Sequence, residues 1–153
     1  RVEEVETILD VGCGPGLVAR LVAKRLPEAE VVGIDPSRFM VEEAKRETLE
    51  LGVRNVRFEL GSSRRPPNES YGLIYSVLSF HHWVSQEESL NMLYTHLVGK
   101  RLLLFEYNRY ASPFLFRGHS VTYEYFKGFS GKTLFNDIQV FGKKRVIEAS
   151  FLK

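Results

Sequence analysis

Three glycines alternate in Ile8-Leu9-Asp10-Val11-Gly12-Cys13-Gly14-Pro15-Gly16, directly after a β-rich run and directly before a stretch of helical period. A strand that turns sharply into a helix needs backbone angles that glycine tolerates, and the missing side chains let a ligand approach the main chain. The N–H groups at the start of the helix behind the loop then favour a carboxylate or phosphate. The loop therefore reads as a nucleotide-type cradle. A dinucleotide fingerprint, G-x-G-x-x-G, wants a small residue at position 17, and Leu17 stands there, which disfavours a nicotinamide or flavin ligand. Asp35 closes a second β-rich run 19 positions after Gly16. A carboxylate in that place can accept hydrogen bonds from two ribose hydroxyls, and it would repel the 2′-phosphate of NADP.

The elements that must hold these residues are legible in the hydrophobic pattern. Short apolar runs alternate with stretches of helical period, the pattern of an α/β fold in which helices wrap a mostly parallel sheet. Strands are expected at Thr7–Val11, Glu30–Asp35, Asn55–Leu60, Tyr71–Leu78 and Arg101–Tyr107. The first helix is expected to follow the glycine loop, with Leu17, Val18, Leu21, Val22 and Leu26 as its apolar stripe and Pro27 as its stop. A second should be N-capped by Ser37, bury Val41, Ala44, Thr48 and Leu51, and end at Gly52. Ser85-Gln86-Glu87-Glu88 has capping-box spacing ahead of Leu90, Leu93, Tyr94 and Leu97, with Gly99 closing that helix. Val121–Phe129 reads as a short helix, and Leu134–Phe141 with Arg145–Phe151 as an antiparallel hairpin. No linker or repeat divides the chain, so residues 1–153 are expected to form one domain.

With 153 residues, 44% apolar and 26% charged, the chain can afford one real core. A net charge of +2 gives no field that calls for a nucleic-acid partner, and Arg64-Arg65, Lys100-Arg101 and Lys143-Lys144-Arg145 read as solvated surface. The single cysteine, Cys13, excludes an intrachain disulfide framework and any multi-cysteine metal site, which suits a cytoplasmic location. No apolar run has the length of a membrane helix, and the N-terminal residues lack a signal-peptide layout.

Asp10-x-Gly12-x-Gly14-x-Gly16, then Gly33-Ile34-Asp35-Pro36-Ser37, then Tyr71 through His81-His82-Trp83 together resemble the class I S-adenosylmethionine-dependent methyltransferases. Within them the likeness is to the small-molecule, ubiquinone-biosynthesis-type group. The resemblance implies a Rossmann-like seven-stranded sheet in the order 3-2-1-4-5-7-6 with an antiparallel last strand. It also implies S-adenosyl-L-methionine across the C-terminal ends of strands 1, 2 and 4. By the same likeness Gly12 and Gly14 face the methionine part, with Asp10 beneath its ammonium group, and Cys13 and Gly16 complete the loop. Asp35 and Pro36 hold the ribose, Ser37 and Phe39 border the adenine, and Ser76 lies near the methionine backbone. Two departures stand out: Ser62, followed by Ser63, occupies a place where many members carry an aspartate, and Gly72 replaces an acid.

His81 and His82 fall at the mouth of such a site, where one can serve as a general base or position an acceptor; the plainer reading is that they finish strand 4 and bond backbone or water. As neighbours on a strand they would face opposite ways and make a poor metal pair, so no metal is expected. Trp83, Tyr107, Asn108 and His119 are the candidate substrate contacts, because strand-end residues face the crevice. Methyl transfer from a sulfonium needs alignment and water exclusion more than a nucleophilic residue. The acceptor is expected to be a small molecule methylated at oxygen, nitrogen or carbon. Alternatives are a catalytically silent S-adenosylmethionine-binding subunit or regulatory module, or an RNA or protein methyltransferase. Only Arg1–Glu6 precede the first strand, so the cleft is expected to be covered by an upstream segment, a second subunit of a homo-oligomer, or the connection from Asn108 to Ser120.

Overall fold

The computed structural model describes residues 7–109, 120–143 and 145–153. Among these residues eight strands form one sheet: β1 (Thr7–Val11), β2 (Glu30–Asp35), β3 (Val56–Leu60), β4 (Tyr71–Val77), β5 (Leu97–Asn108), β6 (Ser120–Val121), β7 (Asp137–Lys143) and β8 (Val146–Leu152). Their order is β3-β2-β1-β4-β5-β8-β7, with the two-residue β6 pairing β5 to one side. Strands β1 to β5 are parallel neighbours, and β8 runs antiparallel between β5 and β7. The expected order is thus found, and β6 merely shifts the numbering of the hairpin.

Helices α1 (Leu17–Arg25) and α2 (Arg38–Leu51) cover one face, and α3 (Gln86–His96) and α4 (Tyr123–Lys127) the other. Alternation along the strands separates the two cores. Ile8 and Val31 pack with Ala19, Ala23, Val41, Ala44 and Phe58, whereas Leu9 and Val32 pack with Phe80, Leu90, Leu93 and Phe126. Burial on both faces explains why the strands read as continuous apolar runs.

Several local expectations are corrected. In α1 the residues that bury are Ala19, Arg20 and Ala23, while Leu17 and Leu21 are exposed, because the glycine loop sets the phase of the helix and small side chains let it lie close to the sheet. Leu51 of α2 is likewise exposed, although Ser37 caps that helix by accepting from Met40 N–H (3.4 Å). Ser85 precedes α3 in a left-handed conformation (φ 52°) and makes no side-chain cap, so no capping box forms. Gly99 does not end α3 but lies inside β5, where a Cβ would sit 1.7 Å from the Gly72 carbonyl oxygen. The β4–β5 register shifts there, between Tyr71 and Leu73, and the two glycines allow the backbones that contact. Strand β7 starts at Asp137 rather than Leu134, and α4 is shorter than the Val121–Phe129 expected, its cap being Thr122. His119 and most of the Asn108–Ser120 connection lie outside the described residues. No described helix is long and apolar enough to cross a membrane.

Candidate active site

The glycine loop is held from below by the backbone of β2. Gly12 and Cys13 N–H both donate to the Ile34 carbonyl (2.8 and 3.0 Å), and Gly16 N–H donates to Cys13 (3.0 Å). All three glycines have positive φ, and a Cβ on Gly14 would meet nothing within 4 Å, so the crest of the loop is open to a ligand. Asp35 fastens the loop from the side. Its Oδ2 accepts from Gly14 N–H (3.0 Å) and its Oδ1 from Ser37 N–H (2.9 Å), which also orients the start of α2. A carboxylate has about four lone-pair sites, so both oxygens can still accept from a ribose.

Asp10 lies beneath this loop, 2% exposed, and accepts from the Tyr75 hydroxyl (3.0 Å). Burial pushes its carboxyl up to about 7; the Tyr75 bond opposes that rise and the Asp35 charge adds to it. Burial likewise pushes the half-buried Cys13 thiol well up, which makes it an inert part of the loop.

A cavity of ≈ 370 Å³ opens beside the loop. Val11, Gly12, Asp35 and Pro36 form one wall, Ser62, Ser63 and Arg64 a second, and Ser79, His82, Trp83 and Val84 a third. Ser63 is fixed by a hydroxyl–hydroxyl bond to Ser89 (2.9 Å), and Arg64 reaches Glu88 (3.6 Å). On the third wall Trp83 Nε1 donates to Ser79 Oγ (3.0 Å), which donates to the Val11 carbonyl (3.3 Å). Gly12 is required at this contact, since a Cβ would lie 1.9 Å from Ser79 Oγ.

Asp35, Pro36, Ser62, Ser63, His82 and Trp83 are thus brought together around one cavity, with Asp10, Cys13, Gly14 and Gly16 in or under its loop. Ser37 sits one step behind as the α2 cap. Phe39 is 70% exposed on the first turn of α2, outside the cavity lining, and Ser76 is buried within β4 with its hydroxyl unpartnered. Tyr107 and Asn108 end β5 where it pairs with β6. His81 and His82 do not finish a strand: β4 stops at Val77, Leu78 is left-handed (φ 56°), and both histidines belong to a 3₁₀ turn, Phe80–His82, with ring centroids 3.9 Å apart. His82 lines the cavity, while His81 turns its Nδ1 to Glu106 Oε2 (2.8 Å).

Sequence reasoning missed two residues. Glu106 of β5 is fully buried and also accepts the His81 backbone N–H (3.3 Å); burial pushes its carboxyl up to about 7. Arg20 of α1, 4% exposed, donates to the Pro15 carbonyl in the loop (2.8 Å) and to the Ala44 carbonyl (3.4 Å), and pairs with Glu47 of α2. A charge inside each otherwise apolar stretch was the available signal. Among the described residues, no group of three or more His, Cys, Asp or Glu is placed to hold a metal ion.

Residues 8–98 match the family model described as a methyltransferase domain. A trans-aconitate 2-methyltransferase from Variovorax paradoxus is 38% identical over 89 residues, which cover 57% of this chain and 32% of that enzyme. A malonyl-[acyl-carrier protein] O-methyltransferase from Priestia megaterium is 31% identical over 98 residues, 64% of this chain and 35% of that enzyme. The chain thus aligns with about a third of the length of these relatives. Among solved structures, a SAM-dependent methyltransferase from Aquifex aeolicus superposes with a TM-score of 0.79 over 96% of this chain and 81% of that one, at 19% identity, a likeness of fold. The glycine loop, Asp35 and the cavity walls all fall inside the matched segment, and the chain belongs to the methyltransferase-domain family, class I and S-adenosylmethionine-dependent.

Proposed function

We propose that this protein transfers a methyl group from S-adenosylmethionine to a small-molecule acceptor, with residues 1–153 acting as one cofactor-binding domain. The observation that carries the reading is the Asp35 carboxylate, bonded to Gly14 N–H at 3.0 Å and lining the same ≈ 370 Å³ cavity as Gly12, Pro36 and Ser62. This donor and acceptor set suits the bound group. Asp35 would accept the ribose hydroxyls, the open crest at Gly14 would receive the methionine end, and Ser62 and Ser63 would border the adenine with uncharged hydroxyls. When bound, that group supplies a methyl carbon already activated by a positive sulfur. The protein's own task is then alignment and exclusion of water, which supplies several kcal/mol of barrier reduction without any covalent intermediate.

The trans-aconitate relative supports a small acceptor over a polymer, and so does a net charge of only +2. Trp83 on the cavity wall, with Tyr107 and Asn108 at the end of β5, is where the acceptor would meet the chain. Thermal unfolding with and without ligand tests the reading. S-adenosylhomocysteine at a hundredfold excess over Kd should stabilise the protein by about 2.7 kcal/mol and NAD should not. A shift with NAD and none with S-adenosylhomocysteine would overturn it. RNA binding with a steep log–log salt slope would overturn the small-acceptor part.

A further inference from the structure

The segment Ser79–Val84 supplies four of the cavity-lining residues and is bounded by two left-handed, non-glycine residues, Leu78 (φ 56°) and Ser85 (φ 52°). Such conformations cost free energy and persist where surrounding contacts over-determine them. Here the contacts converge on Glu106. Its Oε1 accepts from His81 N–H at 3.3 Å, its Oε2 bonds His81 Nδ1 at 2.8 Å, and the Phe80 N–H also bears on it. From the far side Gln86 Nε2 donates to the Phe80 carbonyl (2.9 Å), and the Tyr125 hydroxyl donates to Gln86 Oε1. A fully buried carboxylate is an expensive anchor for a turn that a backbone carbonyl or serine could hold. What it adds, once ionised, is negative charge behind two imidazoles whose ring centroids lie 3.9 Å apart, one of which faces the cavity.

Resting on the methyl-transfer reading above, we propose that the acceptor is a protic nucleophile, a hydroxyl or an amine, that His82 takes its proton, and that Glu106 acts through His81 as the positioning residue. A carboxylate acceptor is already ionised at neutral pH and needs no base, whereas a hydroxyl or ammonium group must shed a proton. The acceptor's oxygen or nitrogen lone pair forms the new bond to the methyl carbon as the carbon–sulfur bond breaks and its electron pair goes to sulfur. The acceptor's proton passes to a ring nitrogen of His82 and then to water. Glu106, held on His81 Nδ1, favours the charged imidazolium form next door. Among the described residues, Tyr125 from α4 also bears on Glu106, and Asp35 and Arg64 line the same cavity as His82.

The test supplies tritiated S-adenosyl-[methyl-³H]methionine with a protein-free and nucleic-acid-free small-molecule extract, and asks how the label is held. Methyl ethers and methylamines keep it in mild alkali, while methyl esters release it as volatile methanol. Alkali-stable label that mass spectrometry places on oxygen or nitrogen supports the proposal, and alkali-stable label on carbon overturns it. Alkali-labile label overturns it and leaves methyl transfer standing, and no label despite S-adenosylhomocysteine binding overturns both. With the labelled acceptor in hand, His82→Ala should lower kcat by about 10²-fold or more. Glu106→Gln should lower kcat, leave S-adenosylhomocysteine affinity unchanged, and move the acid limb of the pH–rate profile to lower pH. In ¹⁵N spectra of the imidazoles of the unliganded protein, Glu106→Gln should move the His82 titration to lower pH, with His81→Asn as the second variant that interrupts the same link. A His82 titration indifferent to both substitutions would refute the role given to Glu106.

Discussion

Asp35→Ala separates two jobs that the sequence presents as one. Read from the sequence, Asp35 serves a ligand; in the folded protein its two oxygens also accept the Gly14 and Ser37 N–H groups at 3.0 and 2.9 Å, so the substitution frees two backbone donors in the absence of any ligand. Hydrogen bonds to a charged group contribute about 1.5–3 kcal/mol each, and because Asp35 is partly exposed the lower value applies, giving about 3 kcal/mol of unfolding free energy for the pair. Binding loses a further two bonds to the ribose, again about 3 kcal/mol, which is more than a hundredfold in Kd. Urea unfolding of the free protein measures the first loss, and calorimetric titration with S-adenosylhomocysteine measures the second at a temperature where the variant is folded. Asp35→Asn should fall between, since one amide oxygen replaces two carboxylate oxygens and its NH₂ must face an N–H. Wild-type affinity in a folded Asp35→Ala would refute the ribose assignment. Unchanged stability would refute the structural role of its two bonds.

Arg20→Met should cost about 3 kcal/mol in urea unfolding, the low end for breaking a buried pair because Glu47 is 36% exposed, and should weaken S-adenosylhomocysteine binding through the Pro15 carbonyl it releases; a variant that binds normally would show that Arg20 does not shape the loop. Gly99→Ala should fail to accumulate as folded protein by circular dichroism, since the new methyl meets the Gly72 carbonyl at 1.7 Å, whereas Gly14→Ala, free of clashes at φ +53°, should cost only about 1–2 kcal/mol. Asp10 and Glu106, both raised to about 7 by burial, bind protons more tightly folded than unfolded. Their contribution to stability is therefore greatest below the unfolded values and declines as pH rises from about 4 towards about 7. Asp10→Asn should flatten that decline in urea midpoints across the range, and an unaltered slope would show that Asp10 does not titrate there.

What was readable in the chain follows from how each feature is encoded. The glycine loop, Asp35 and the Ser37 cap depend on backbone angles and short-range hydrogen bonds, so a few adjacent residue types specify them. Strand positions depend on period-two burial on both faces, which a run such as Glu30–Asp35 states plainly. The phase of α1 does not: Leu17 and Leu21 are the larger apolar residues, yet Ala19 and Ala23 face the sheet, because the loop, not the side chains, fixes where the helix starts turning. Gly99 reads as a helix stop by local rules and is in truth one half of a backbone contact with Gly72, 27 positions away. Glu106 was ambiguous for a related reason. Within Leu102–Tyr107 a lone acid looks like an edge or solvent residue, and only the parallel pairing of β4 with β5 brings it against the turn that follows β4. The residues that hold the cavity walls in register are therefore long-range partners, while those proposed to meet the cofactor are local motifs. A substitution scan should reflect that division: changes in the glycine loop and at Asp35 should move ligand affinity first, changes at Arg20 should act through the loop it holds, and changes at Glu106 and Ser79 through the wall they hold.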